Sequence, residues 1–373
     1  MNSRERLHRI FYGLEVDRPA LKLWGYIPKM EVLHNSYNEV TALAEQFTDV
    51  FSQWSGPFNL IYGAELIQYV SREEKNLDDP LWYDIHITVN APAGKLHSVY
   101  RESRVASNMG MGYWVEHLIK SPEDMLALLS IPYSEQPVKV EGYLEEDRRI
   151  GEKGITVLFL PHAGYGLQDL CGSENLALFY ADAPEIMHQF IGEMALRIKS
   201  YTKKILDSGV RPYFAWVGPE VFIPPLASPQ MFEEFVFNYD KPLCDLIHNA
   251  DCRVWMHCHG KVRQFMDRFI DMGIDIINPL EPPKNGDIDM YELANTYAGR
   301  IGLEGNIEIQ DIIMSPGAEL KLLIEDCVNA GKQSGRFILC PSSGFNDYVT
   351  PTRNYIENLK TYIAFGYECV NKR

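Results

Sequence analysis

Residues 254–260 read VWMHCHG, an apolar run that closes on His257, Cys258, His259 and Gly260. Two imidazoles and a thiol in successive positions are metal-ligand chemistry; the bland alternative is a hydrogen-bonded histidine pair in a polar loop. Strand geometry separates the three. Side chains alternate across a strand, so His257 and His259 share a face with Trp255, and Cys258 goes with Val254 and Met256. The aliphatic face is expected under helices, which makes Cys258 a structural thiol and turns both histidines inward. Cys340 ends a second apolar run, RFILCP. Two imidazoles and a thiolate suit Zn²⁺ and leave one position open for catalysis. Glu220, directly after PYFAWV, is the candidate for a displaceable fourth ligand.

Such residues need a scaffold that brings separated strand ends together. From residue 150 onward, short apolar runs alternate with helical patterns six times. ITVLFL (155–160) precedes a helix over 184–206, and PYFAWV (212–217) precedes one over 228–248 that Ser228 caps with Pro229 at its first position. CRVWMHC, IDIINPL, RIGLEGNI and RFILCP each lead into a further helical stretch. Near the start, PALKLW and DVFSQW add two strands around the helical NEVTALAEQF. Eight such units predict an α/β fold, a (β/α)₈ TIM barrel, within a single domain spanning 1–373. An inserted antiparallel and helical segment at about 55–150 is expected between strands two and three, with a turn at NAPAG and helices at 121–130 and 141–151.

Reactive groups in such a barrel sit at the C-terminal ends of the strands. Strand four ends at Glu220, strand five at the histidines, strand six at Asn278 and Glu281, strand seven at Glu304 and Asn306, and strand eight at Cys340. Trp24, Trp54, Trp114, Trp216, Tyr26, Tyr62, Tyr165 and Tyr213 are candidates for an aromatic pocket, though ordinary core is the alternative for each.

Composition narrows the partners. The formal charge of −16 and the lack of a Lys/Arg stripe argue against nucleic acid. No apolar stretch approaches the roughly 18 residues of a membrane span, and the first residues lack a signal-peptide core. Seven scattered cysteines fit a reduced, cytoplasmic protein.

The opening NSRERLHRIFYGLEVDRP, the SPQMFEEFVFNYDKPLCDLIH helix, the H-x-[CH]-G motif, GIDIINPLEPP, LEGNIEIQ and RFILCPSS together resemble the uroporphyrinogen decarboxylase superfamily, in particular its zinc- and corrinoid-dependent methyltransferase branch. The resemblance covers nearly the whole chain. It implies zinc held by a strand-five His-x-Cys and a strand-eight Cys; here His257 and Cys340 are kept and His259 replaces a cysteine. It also implies that a decarboxylase would carry arginines after strand one, where LKLWGYIPKM has none.

Exchanging a thiolate for imidazole leaves a more electrophilic zinc, suited to an ether oxygen. The expectation is therefore methyl transfer from a small methoxylated substrate to the Co(I) corrinoid (cobalamin) of a partner protein. Glu220 or Glu304 would protonate the released oxygen, and Trp24, Tyr26, Trp216, Glu281 and Asn306 would contact the substrate. Methyl transfer from methylcorrinoid to a thiol, decarboxylation of a porphyrinogen, and a non-catalytic binding barrel are the alternatives. The oligomeric state, a homodimer among the options, stays open.

Overall fold

The computed structural model describes residues 1–56, 58–60, 63, 66–105, 112–345 and 351–372. Strands β1 (Ala20–Leu21) and β2 (Val50–Ser55) come first, followed by β3 (Val70–Asn76), β4 (Trp82–Ala91), β5 (Gly94–Ser103) and β6 (Gly112–Glu116). Then come β7 (Gly154–Phe159), β8 (Tyr213–Val217), β9 (Arg253–His257), β10 (Ile276–Asn278), β11 (Gly302–Ile307) and β12 (Phe337–Pro341). β1, β2 and β7–β12 form one parallel sheet in the order β1-β12-β11-β10-β9-β8-β7-β2. Its two end strands meet through Asp49, whose N–H donates to the Leu21 carbonyl (2.7 Å) and whose carboxylate accepts the Leu21 N–H (2.9 Å). The sheet is thus curled in the TIM-like manner, with a side chain bridging the seam where no ladder runs.

The alternation predicted for β9 is present. Trp255 belongs to the apolar cluster inside the curled sheet, with Phe51, Val157, Ala215, Ile276, Ile338 and Cys340. Val254, Met256 and Cys258 belong to the larger cluster between sheet and helices. The inner cluster is completed from below by Leu7, Ile10 and Phe11 of the helix Ser3–Tyr12, which the sequence reading did not foresee. That helix is capped by the Asn2 side chain and stopped by Gly13 in the left-handed region (φ 66°).

β3–β6 make a separate four-stranded antiparallel sheet, the expected excursion between the second and third barrel strands. The β4–β5 hairpin closes through Ala91 and Gly94 at the expected turn, and helices follow at Pro122–Leu129 and Glu141–Ile150. One edge strand of that sheet, β3, carries exposed SREEKN, charged chemistry that keeps an edge strand from pairing with another chain.

The helix expected over 228–248 runs from Pro229 to Asn249, capped by Ser228, with a wide π turn at Glu233–Phe237 between Pro229–Phe232 and Asn238–Asn249. Pro242 brings no N–H to the turn that begins at Asn238, and the widened turn lies immediately before it. A helix over Ala163–Asp182 was not expected. It kinks at Gly172 (φ 77°), so its apolar residues keep no single period.

Candidate active site

The C-terminal end of β9 carries the two histidines, and each is held by a neighbour from β10 or the loop after it. His257 is buried, and its Nδ1 lies 2.6 Å from Asn278 Oδ1. Asn278 Nδ2 donates to Glu304 Oε1 (3.1 Å), which also accepts from Lys22 Nζ (2.7 Å), while Glu304 Oε2 accepts from Trp255 Nε1 (2.8 Å). The ammonium of Lys22 sits over the Phe51 ring at 3.7 Å and near Trp255 and Trp24. Burial, followed by the neighbouring His259 and Lys22, pulls the His257 pKa down to about 3 against the opposing Asn278 bond, so the ring is neutral at ordinary pH.

His259 follows at a ring-centroid distance of 4.4 Å, perpendicular to His257. Its Nδ1 lies 2.9 Å from Glu281 Oε1, and the other Glu281 oxygen accepts the Gly260 N–H at 2.8 Å. Burial lowers the His259 pKa, but the Glu281 bond and the charges of Glu281, Glu220 and Glu308 outweigh it and raise it. A metal would therefore have to displace a proton that this carboxylate cluster favours. Glu281, expected to touch substrate, bonds His259 and so orients its ring. Glu220 accepts the Gly218 N–H (3.1 Å), and burial raises its carboxyl pKa against the opposing histidines. Glu308, beyond the end of β11, was missed in the sequence. It is buried, takes a hydrogen bond from Ser342 (3.2 Å), and is raised chiefly by burial with a further push from Glu281.

The predicted ligand set is only partly assembled. Among the described residues no three His, Cys, Asp or Glu side chains converge as a metal-ion site. Cys340 does face inward, but its thiol lies against the Glu304 carboxylate; burial and that charge hold its pKa well above normal. The histidine pair fits a metal: each ring is tied through Nδ1 and keeps Nε2 as the nitrogen for a ligand, the arrangement that orients metal-binding imidazoles. With no metal bound, burial and the Glu304 charge disfavour a Cys340 thiolate.

Other expectations change as well. Glu304, expected as a proton donor, is fully buried with both oxygens accepting hydrogen bonds, one from Lys22 Nζ and the other from Trp255 Nε1. Trp216 faces the helices, on the opposite side of β8 from Val217, and Tyr26 is buried with its hydroxyl on Glu45 (2.5 Å). Asn306 borders a cleft on the outer face, with Met290, Tyr291 and Leu323. Trp54 packs on Tyr143, Trp114 bonds Asp169 from the antiparallel sheet, and Tyr213 bonds His8 at the start of β8. Tyr62 lies outside the described residues.

Trp24 is half-buried with its ring 4.7 Å from that of His257. Phe159 and Val217, half-buried against the inner cluster, and exposed Gln53, on the Phe51 side of β2, complete the mouth. Strand alternation counted from Phe51, Val157 and Ala215 would have found them. Tyr165 stands at the rim, beside Gly218.

An eight-stranded parallel α/β sheet with its polar groups gathered at the C-terminal strand ends defines a TIM-like protein. The uroporphyrinogen decarboxylase (URO-D) family matches residues 169–365, more than half of the chain, and the protein belongs to that family. No curated protein matches the sequence. Among solved structures, a methyltransferase from Methanosarcina mazei is similar over 99% of this chain and 99% of its own, with a TM-score of 0.60 at 15% identity. At that identity the likeness establishes the fold. A Bacillus subtilis mannanase, BCman, matches 59% of this chain and 69% of its own at 11% identity, with a TM-score of only 0.35.

Proposed function

We propose that the protein is a zinc-dependent methyltransferase that removes the methyl group of an O-methyl substrate, a methoxylated aromatic, and passes it to the Co(I) corrinoid of a partner protein. The observation that carries this reading is the inward histidine pair, each ring anchored through Nδ1 at the open end of the barrel. His257 and His259 would hold Zn²⁺, with Glu220 as a displaceable ligand and Cys340 joining only if it loses its proton. When bound, zinc would supply Lewis acidity toward the ether oxygen. The Methanosarcina relative's description as a methyltransferase supports the reaction class.

The chain's own residues account for the rest. Trp24, Phe159 and Val217 offer an apolar wall for a flat ring. Where it is not a zinc ligand, Glu220, whose carboxyl pKa is raised by burial, would instead be the acid that protonates the departing oxygen. Lys22, the cation acting on His257, is already neutralised by Glu304, which leaves it unsuited to hold the carboxylates of a porphyrinogen.

The test is a panel of methoxybenzenes and thiols offered with several corrinoid proteins while the cobalt spectrum is followed. Methylation of Co(I) by an ether, faster with more acidic leaving groups, is expected. Methyl transfer only from methylcorrinoid to a thiol would reverse the assigned direction.

A further inference from the structure

A carboxylate can only accept hydrogen bonds, and that fact propagates through the barrel interior. Glu304 is fully buried and both of its oxygens accept hydrogen bonds, Oε1 from Lys22 Nζ and Oε2 from Trp255 Nε1. Asn278 must therefore turn its NH₂ toward Glu304, since its oxygen there would face a second acceptor. The amide oxygen then points at His257, and only a protonated Nδ1 can satisfy it at 2.6 Å. His257 Nε2 is left unprotonated.

We infer that Lys22, Glu304 and Asn278 form a positioning relay that locks His257 in the Nδ1–H tautomer and presents Nε2 as its ligand nitrogen. The three residues touch no substrate; they act through the ring. The use assigned to the freed nitrogen rests on the zinc reading above, whereas the tautomer itself does not. Asn278 lies at the end of β10, Glu304 within β11 and Lys22 just beyond β1, so the relay crosses the barrel from the first strand to the fifth. This also gives a reason for burying an ion pair where an apolar pair would pack as well.

The tautomer is read directly by two-bond ¹H–¹⁵N correlations of histidine rings in metal-free, ¹⁵N-labelled protein, with the His257 signal assigned by its loss in His257→Gln. Wild type should show Nδ1–H. Asn278→Leu, which removes the acceptor, should release the ring to Nε2–H or a mixture. Glu304→Leu alone would strand a buried ammonium and unfold part of the chain, so the folded comparison is the double variant Lys22→Met/Glu304→Leu. With nothing left to orient Asn278, it should show mixed tautomers.

Co²⁺ titration, as a spectroscopic stand-in for zinc, should weaken by ~10–100-fold in Asn278→Leu and in the double variant. An Nε2–H ring in wild type, or an unchanged tautomer in Asn278→Leu, overturns the relay whatever the metal does. Tautomer shifts as expected in a protein that binds no Co²⁺ uphold the relay and remove the zinc reading.

Discussion

At the scale of single residues, adjacent side chains in VWMHCHG have opposite fates because of strand alternation alone. Cys258 is fully buried among aliphatic residues on the helix side, and His257 and His259 turn to the interior. His257→Ala should therefore release metal and abolish methyl transfer, while Cys258→Ala should keep both and lose only a little stability, as measured by zinc content and turnover. His259→Cys should retain zinc and slow ether cleavage, because an added thiolate charge weakens the Lewis acid. Equal rates in the two proteins would remove the link between ligand charge and leaving group.

At the scale of elements, the seam between β1 and β2 depends on one carboxylate. Asp49 is fully buried, bonds Arg6 (2.5 Å) and Arg18 (3.1 Å), and also takes the Leu21 N–H. Asp49→Ala should cost about 3 kcal/mol in denaturant unfolding, the low end for breaking a buried pair, because Arg6 keeps Asp17. The same cluster has a pH signature. The hydrogen bond from Arg6 overcomes burial and holds the Asp17 pKa at about 2, below its ordinary 3.8. A carboxyl depressed on folding adds stability that is complete above the unfolded pKa and is lost as pH falls through the folded one. The stability gap between wild type and Asp17→Asn should therefore be constant near neutrality and shrink from about pH 4 downward toward pH 2. A gap independent of pH would mean that the ion pair contributes nothing.

At the scale of the molecule, a chain of formal charge −16 curls a TIM-like sheet around an interior in which the Lys22 ammonium is already paired with a carboxylate. Polyanionic substrates meet an unfavourable field outside and no free cation at Lys22. Incubation with uroporphyrinogen should leave the pigment unchanged by chromatography, even though the chain belongs to the URO-D family. Formation of coproporphyrinogen would overturn the proposed substrate class.

What the sequence determined by itself was whatever short-range periodicity can carry. Eight strand-like runs, the inward face of β9, the antiparallel excursion and the Ser228 cap all follow from alternation, turn chemistry and capping, which act over a few residues. The tertiary structure decided which strand ends meet and what each ionisable group faces. Lys22 read as one polar residue in PALKLW, yet it lies 2.7 Å from a carboxylate 282 positions away and so turns Glu304 from an expected acid into a structural acceptor. Cys340 kept its inward face, but burial and Glu304 push its thiol pKa up. Glu281 and Asn278 became the partners of the histidines, because parallel pairing sets β10 beside β9 with Asn278 level with His257. Protonation state and ligand geometry depend on partners brought together from distant positions, and those distances exist only once the sheet has curled.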